Sequence, residues 1–187
     1  MKKPTYKHQD FIINKVCERT EQKRYWLELT INKDCTENII VIMKNPSRAT
    51  LEVSDKTVFN LCNYIFLNKN NKAELKNIGK IIILNLIPFY ETYSKELIAL
   101  KDKIVDSVNV ETIRKYTSND SRVIIAWGNH PDKLYNEYEI LKQEVFQILK
   151  ENNNEVYYVD KLSAAGNPKH AQIWGYENEL IKFELNQ

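Results

Sequence analysis

The chain has 187 residues and a formal net charge of +2, with 43% hydrophobic and 28% charged residues. This composition is typical of one globular domain and excludes disordered and collagen-like chains. The slight positive charge also excludes a polycationic tail that binds nucleic acid through charge alone, so a nucleic-acid partner would need a local patch.

The three cysteines, Cys17, Cys35 and Cys62, form no CxxC pair, which argues against both a disulfide framework and a zinc site. No stretch is apolar enough to span a membrane, and the N-terminus lacks the apolar core of a signal peptide. We therefore expect a cytoplasmic protein that carries no metal and contacts no membrane.

The predicted elements begin after a charged segment, 1–20, which we expect to be peripheral in a single domain of residues 1–187. Residues 24–31 alternate between polar and apolar side chains, which predicts an additional edge strand. Four continuous apolar runs, at 39–43, 80–85, 123–127 and 155–159, are typical of buried strands in a parallel sheet.

Segments with helical spacing separate these runs. They lie at 58–65, 97–108 and 134–149, and a last helix is predicted at 176–183. Pro131 and Asp132 indicate the start of the third helix. The alternation predicts an α/β fold with three layers, α/β/α, around a mainly parallel, four-stranded central sheet with an extra edge strand.

A proline follows each of the four apolar runs, at Pro46, Pro88, Pro131 and Pro168. Because parallel strands end at one edge of the sheet, where open α/β folds bind ligands, the four loops predict one pocket. The structural alternative is that proline only terminates each strand, since it cannot donate to a ladder. Three of the loops also carry asparagine and two carry histidine, whose side chains can hydrogen-bond to a ligand.

Six short motifs carry a resemblance to a known family. They are RYWL at 24–27, IMKNPSRAT at 42–50, SDKT at 54–57, LNL at 84–86, AWG at 126–128 and GNPKH at 166–170. In this order they resemble the bacterial and phage proteins grouped as domain of unknown function 1643. The chain departs from that pattern at Lys44 (usually leucine), Lys56 (usually proline) and Ala171 (usually proline).

That family is in turn similar to the uracil-DNA glycosylase superfamily. The likeness implies a parallel sheet flanked by helices, a base pocket at its carboxyl edge and cleavage of an N-glycosidic bond without a cofactor. Asn45 stands where the most active uracil enzymes have a water-positioning aspartate. The sequence His170-Ala171-Gln172 stands where they have His-Pro-Ser.

The resemblance also implies a role for each candidate residue. Asn45 would orient the attacking water, and His170 would donate to the departing base or hold a flanking phosphate. Asp55 is a further catalytic candidate, in case Asn45 activates water too weakly. The base-binding candidates are Asn85, Phe89, Tyr90, Pro46 and Ser47, and the candidates for holding DNA phosphates are Arg48, Lys161 and Lys169.

Each role has a structural alternative. Asn45 would simply stabilise a turn, and Asn85 would satisfy backbone groups at a strand end. Asp55 would cap a helix, and Phe89 and Tyr90 would pack in the core.

The sequence therefore predicts a monomeric DNA glycosylase that acts without a cofactor on an extruded, modified base, in defence against phages or in DNA repair. One alternative is a module that binds a nucleotide or nucleic acid without cutting it. The other is an interaction protein that keeps only the fold.

Overall fold

The structure is a computed structural model that describes residues 5–90, 94–118 and 121–185. Within these residues seven strands form one sheet, and four α-helices accompany it. The strands are β1 (Asn14–Arg19), β2 (Arg24–Thr30), β3 (Glu37–Met43), β4 (Ile78–Asn85), β5 (Arg122–Ile125), β6 (Glu155–Val159) and β7 (Leu180–Lys182). The α-helices are α1 (Lys56–Asn68), α2 (Ser94–Ala99), α3 (Ser107–Tyr116) and α4 (Tyr135–Glu151), and short 3₁₀ helices lie at Ala73–Leu75, Lys101–Lys103 and Ala171–Ile173.

The sheet is mixed, with the strand order β1-β2-β4-β3-β5-β6-β7. Strands β4, β3, β5 and β6 pair in parallel, whereas β1, β2 and β7 pair antiparallel with their neighbours. The predicted α/β class is thus confirmed, but the prediction of a mainly parallel sheet of four strands is wrong. The four apolar runs form strands, and three further strands that lack such runs extend the sheet on both sides.

The N-terminal segment contributes one of these added strands. β1 lies within the segment predicted to be peripheral and pairs with β2, with Asn14 opposite Thr30. The strand predicted at 24–31 is therefore internal and not an edge strand. Residues 1–4 of the segment lie outside the described residues.

The predicted last helix at 176–183 is wrong, because this segment contains β7. Its register places Lys182 opposite Tyr157 on β6, and the Phe183 amide donates to the Val156 carbonyl at 2.7 Å. Helical spacing of apolar residues over about two turns is only a weak signal, and pairing with a distant strand decides the conformation.

The helices divide between the two faces of the sheet. α1 packs on a first apolar core that includes Ile39 and Val41, and α3 and α4 pack on a second core that includes Ile40 and Ile42. Because crossovers between parallel strands are right-handed, a reversal in the direction of strand addition puts the next helix on the opposite face. The helix predicted at 97–108 is divided into α2, a 3₁₀ turn and α3, which Asp106 caps by accepting the Asn109 amide at 2.9 Å.

The reversal lies between β3 and β5. From β3 the chain adds β4 on one side and, after α3, adds β5 on the other side. Open α/β sheets bind their ligands at this topological switch point, outside the carboxyl ends of the two strands. The segments that leave it here are those after Met43 and Ile125.

Candidate functional site at the carboxyl edge of the sheet

The pairing of β3 and β5 continues one residue past the end of β5. The Ala126 amide donates to the Ile42 carbonyl at 2.8 Å, which extends the pairing by one residue. Lys44 and Asn45 follow on one side and Gly128 on the other. The switch point is therefore lined by residues of the first and third proline-marked loops.

The fourth loop packs directly on the third, at Gly128 and His170. Gly128 has φ +70°, and a Cβ atom built on it would lie 3.1 Å from the His170 Cβ. Only glycine fits this close approach in this backbone conformation without a shift of the histidine. The structure thus places His170 against the loop that follows β5.

The hydrogen bonding of His170 defines its protonation. Its Nδ1 accepts the Gln172 backbone N–H at 3.3 Å, so the single proton of the neutral ring belongs on Nε2. Burial and the nearby positive charge of Lys44 together lower the pKa of His170 to about 4, although the negative charge of Asp55 acts in the opposite direction. At neutral pH the ring is uncharged and its Nε2–H is a hydrogen-bond donor.

Lys44 is a site residue that the sequence analysis did not select. Burial lowers the pKa of its ammonium group, whose Nζ lies 6.0 Å from the centre of the Tyr138 ring. Among the residues that the structure describes, Lys44 makes no salt bridge. The signal in the sequence was a lysine at the end of a buried strand, directly before Asn45-Pro46.

Asp55 connects the loop after β3 to α1. Its Oδ1 accepts the amides of Thr57 and Val58 at 2.9 and 3.0 Å, and its Oδ2 accepts the Arg48 amide at 2.7 Å. Asp55 is thus the N-cap of α1 and a fixed point for the loop that carries Asn45. In that loop the Asn45 side chain donates to the Pro46 carbonyl at 3.4 Å.

Asn85 is placed at the end of β4, opposite Met43 of β3, and is 0% exposed. Neither its Oδ1 nor its Nδ2 has a hydrogen-bond partner among the described residues. Its backbone carbonyl accepts the Asn109 side chain at 2.9 Å, so the backbone is satisfied while the side chain is not. Burial of an amide without partners costs about 1–3 kcal/mol, which is unusual in a residue with no role beyond packing.

Two further buried polar groups near this edge lack partners. Arg24, 1% exposed, donates from Nη1 to the Ala49 carbonyl at 2.7 Å, but its Nε and Nη2 have no partner in the described part of the chain. The Ser47 hydroxyl likewise lacks one. Since arginine cannot lose its proton, burial of this guanidinium is a large unfavourable term. The Arg24 Cζ lies 5.8 Å from the Tyr90 ring centre, which partly offsets that cost.

The remaining base-binding candidates differ in their surroundings. Phe89 is buried in the second core, with the Lys23 ammonium 4.8 Å from its ring centre, so its ring faces are covered in this conformation. Tyr90 is half-buried beside Arg24, and Pro46 is buried behind Asn45. The next residues, 91–93, lie outside the described part of the chain.

The three candidates for phosphate contacts differ in their surroundings. Arg48 and Lys161 are exposed, whereas the Lys169 ammonium forms an ion pair with Asp160. His130, in the third loop, is also engaged, because its Nδ1 lies 3.0 Å from the Pro131 carbonyl.

Two further observations concern ligands and membranes. No group of three or more His, Cys, Asp or Glu side chains within 5–90, 94–118 and 121–185 has an arrangement that would hold a metal ion. None of the helices in these ranges combines the length and the apolar character needed to cross a membrane.

Comparison with known proteins gives one match. The model of the family described as "Protein of unknown function (DUF1643)" matches residues 24–171, which contain β2 to β6, α1 to α4 and the switch-point residues. No curated protein and no solved structure matches the chain.

Proposed function

Since the chain belongs to the DUF1643 family, whose description assigns no activity, we propose from the site itself that the protein is a DNA glycosylase-like hydrolase. It would bind an extruded, modified base at the switch point and hydrolyse the bond between that base and its sugar. The observation that carries the proposal is the neutral His170 ring, with a proton on Nε2, at the carboxyl edge beside Lys44 and the Asn45 loop.

The chemistry requires a stabiliser for the leaving group. The bond between C1′ and the base nitrogen breaks, and its electron pair leaves with the base. A water oxygen then bonds to C1′, one water proton passes to solvent, and the base takes up a proton. A donor already aimed at the nitrogen or oxygen where negative charge develops lowers the barrier, and the Nε2–H of His170 is such a donor.

Asn45 is the proposed water-positioning residue. Its amide oxygen can accept from a water molecule, but an amide does not take the proton away. Asp55 is assigned a positioning role in this proposal, because its carboxylate oxygens already accept three backbone amides. Such a site would catalyse hydrolysis more slowly than a site in which a carboxylate is free to act as a base.

The second candidate is a module that binds a nucleotide or nucleic-acid end without cutting it. The specific observation in its favour is the same Asp55 arrangement, since the carboxylate whose charge acts on His170 is occupied as a helix cap. A pocket with donors but without a base can bind and not turn over.

Release of a base from DNA tests the proposal. The purified protein is incubated with single-stranded and duplex DNA containing uracil or glucosylated hydroxymethylcytosine, and with duplex DNA containing mismatched thymine. Abasic sites are then converted to strand breaks with alkali. We expect breaks in one substrate, reduced about a hundredfold or more in the His170→Ala and Asn45→Ala variants. His130→Ala is the matched control, because it changes a histidine of a neighbouring loop that bonds to its own backbone.

The outcome separates the two candidates. No strand break in any substrate would overturn the glycosylase proposal. If the protein then binds the same DNAs without cutting them, and the His170→Ala variant binds them more weakly, the result would support the binding module. Activity on the glucosylated base would connect the protein to defence against phages with modified genomes, and activity on uracil or mismatched thymine to repair.

A further inference from the structure

Lys44 differs from the other buried or half-buried lysines near these loops. Lys142 also lies beside the Tyr138 ring, at 5.8 Å, but its ammonium is 2.6 Å from the Glu139 carboxylate and donates to Asn167 Oδ1 at 2.7 Å. Lys169 is paired with Asp160. Only for Lys44, of these three, does the described part of the chain supply no acceptor.

Lys44 is nevertheless held in a defined place. It follows the last residue of β3, and its Nζ lies 6.0 Å from the Tyr138 ring centre. The Tyr138 hydroxyl lies 3.1 Å from the carbonyl oxygens of both Trp127 and Gly128, which fixes that ring against the loop after β5. The Gly128 backbone in turn contacts His170. The buried Tyr138 thus lies between Lys44 and the loop that carries Gly128, and Gly128 lies against His170.

Lys44 and His170 each have a hydrogen-bond donor in their side chain. His170 offers Nε2–H, because its Nδ1 already accepts the Gln172 amide, and Lys44 offers its ammonium. Neither Lys44 Nζ nor His170 Nε2 is among the enclosed atoms without partners in the described residues, so both retain contact with solvent. Two accessible donors with one positive charge between them are complementary to an anion.

Two acidic groups act on these residues: Glu139, which is paired with Lys142, and Asp55, whose charge acts on His170. The Asp55 carboxylate accepts three backbone amides, two of them in the first turn of α1. Those amides and the helix dipole compensate its negative charge locally. Asp55 therefore does not take the place of an anionic partner for Lys44.

We propose that Lys44 Nζ and His170 Nε2 together bind the negatively charged edge of a planar heterocycle, so that Lys44 is a binding residue that favours an anionic base over a neutral one. The choice of a heterocycle rests on the proposed glycosylase function, whereas the anion site rests on the contacts above. In the reaction, this anion is the base as it leaves with the electron pair of the broken bond.

The test uses three probes on the full-length protein: 5-nitrouracil, which is largely anionic at neutral pH, uracil, which is neutral, and inorganic phosphate. Binding is followed through the His170 ring nitrogens by NMR and by calorimetry. We expect 5-nitrouracil to bind about tenfold or more tightly than uracil, as a charge-assisted hydrogen bond allows. The Lys44→Met variant should lose this preference, and Lys44→Arg should keep it.

Lys76→Met is the matched control, because Lys76 is exposed next to the amino end of β4, at the opposite edge of the sheet. If Lys44→Met does not fold, the test rests on two other measurements. The wild type and the Lys44→Arg variant should both bind 5-nitrouracil more tightly than uracil. Equal binding of 5-nitrouracil and uracil to the wild type, or binding of phosphate alone, would overturn the inference. A lack of base release from DNA, with the anion preference intact, would overturn the glycosylase proposal only.

Discussion

Gly128 and His170 are in contact although 42 residues separate them in the chain, and a Cβ atom on Gly128 would lie 3.1 Å from the histidine Cβ. This contact sets how deeply the fourth loop enters the switch point. The position of the His170 Nε2 donor therefore depends on Gly128, in the loop after β5, having no side chain.

Replacement of Gly128 by alanine should destabilise the protein and displace His170. The left-handed backbone conformation alone costs an L-residue about 1–2 kcal/mol, and the new methyl group adds a steric cost. Gly166→Ala is the control, because Gly166 has φ +73° but no atom within 4 Å of a built Cβ. Chemical denaturation should show a larger loss for Gly128→Ala, with shifted His170 resonances in that variant alone. Equal losses and unchanged resonances would contradict the contact.

The protonation of His170 should make stability depend on pH. Its pKa is about 4 in the folded protein and near 6.5 when unfolded, so between these values the unfolded chain binds the extra proton. The free energy of unfolding should then fall as pH drops from 6.5 to 4, by about 3 kcal/mol from this group. Urea unfolding of the wild type and of His170→Asn, whose side-chain oxygen can still accept the Gln172 amide, measures the difference. Parallel pH curves for the two proteins would refute the prediction, and His130→Asn should follow the wild type.

Asp55 should matter through its hydrogen bonds more than through its charge. Asp55→Ala removes the cap of α1 and the acceptor for the Arg48 amide, which should lower stability by about 1–2 kcal/mol. Asp55→Asn keeps one acceptor oxygen, so it should retain most of the cap. If base release is detected, Asp55→Asn should keep more of it than Asp55→Ala. Complete loss in a well-folded Asp55→Asn variant would instead establish a catalytic carboxylate.

The unpartnered Asn85 side chain should lower the stability of the protein, as expected of a residue that is kept for binding a ligand. Asn85→Leu removes two enclosed polar atoms that have no partner in the described structure, so stability should stay level or rise by about 1 kcal/mol. Asn109→Leu is the comparison, because the Asn109 amide donates to the carbonyls of Asn85 and Leu86. That change should be destabilising. Melting temperatures with the reverse order would show that Asn85 has a partner that these contacts do not reveal.

The sequence was most informative where the spacing of apolar residues matches the face that is buried in the folded protein. The continuous apolar runs and the helical spacing of α1 and α4 correspond to elements buried on the sheet, so their periods were direct signals. β1 and β7 were not recognised, because an edge strand with few buried residues has a weak pattern and depends on its partner. Of the four loops after the strands, the third and the fourth lie against each other at Gly128 and His170.

The finer properties of the site depend on distances between remote residues. Lys44 could be seen at the end of its strand, but its lack of an ion pair could not, since Lys142 and Lys169 look alike in sequence and are paired. Likewise, the lack of hydrogen-bond partners for the Asn85 side chain depends on how distant residues pack around it, which the spacing of residues in the sequence does not show. Residues in such positions are recognised only after the partners are known.

The two outermost strands have a consequence for how the molecule is divided. The matched family region, 24–171, contains neither β1 nor β7, so a fragment cut at those limits would end in β2 on one side and β6 on the other. β2 would then present a row of open amides and carbonyls next to its buried Leu27 and Leu29. Unpaired strands of this kind recruit other chains, whereas β1 carries Lys15, Glu18 and Arg19 along its length. We therefore expect β1 and β7, which lie outside the matched region, to reduce edge-to-edge pairing between copies of the chain.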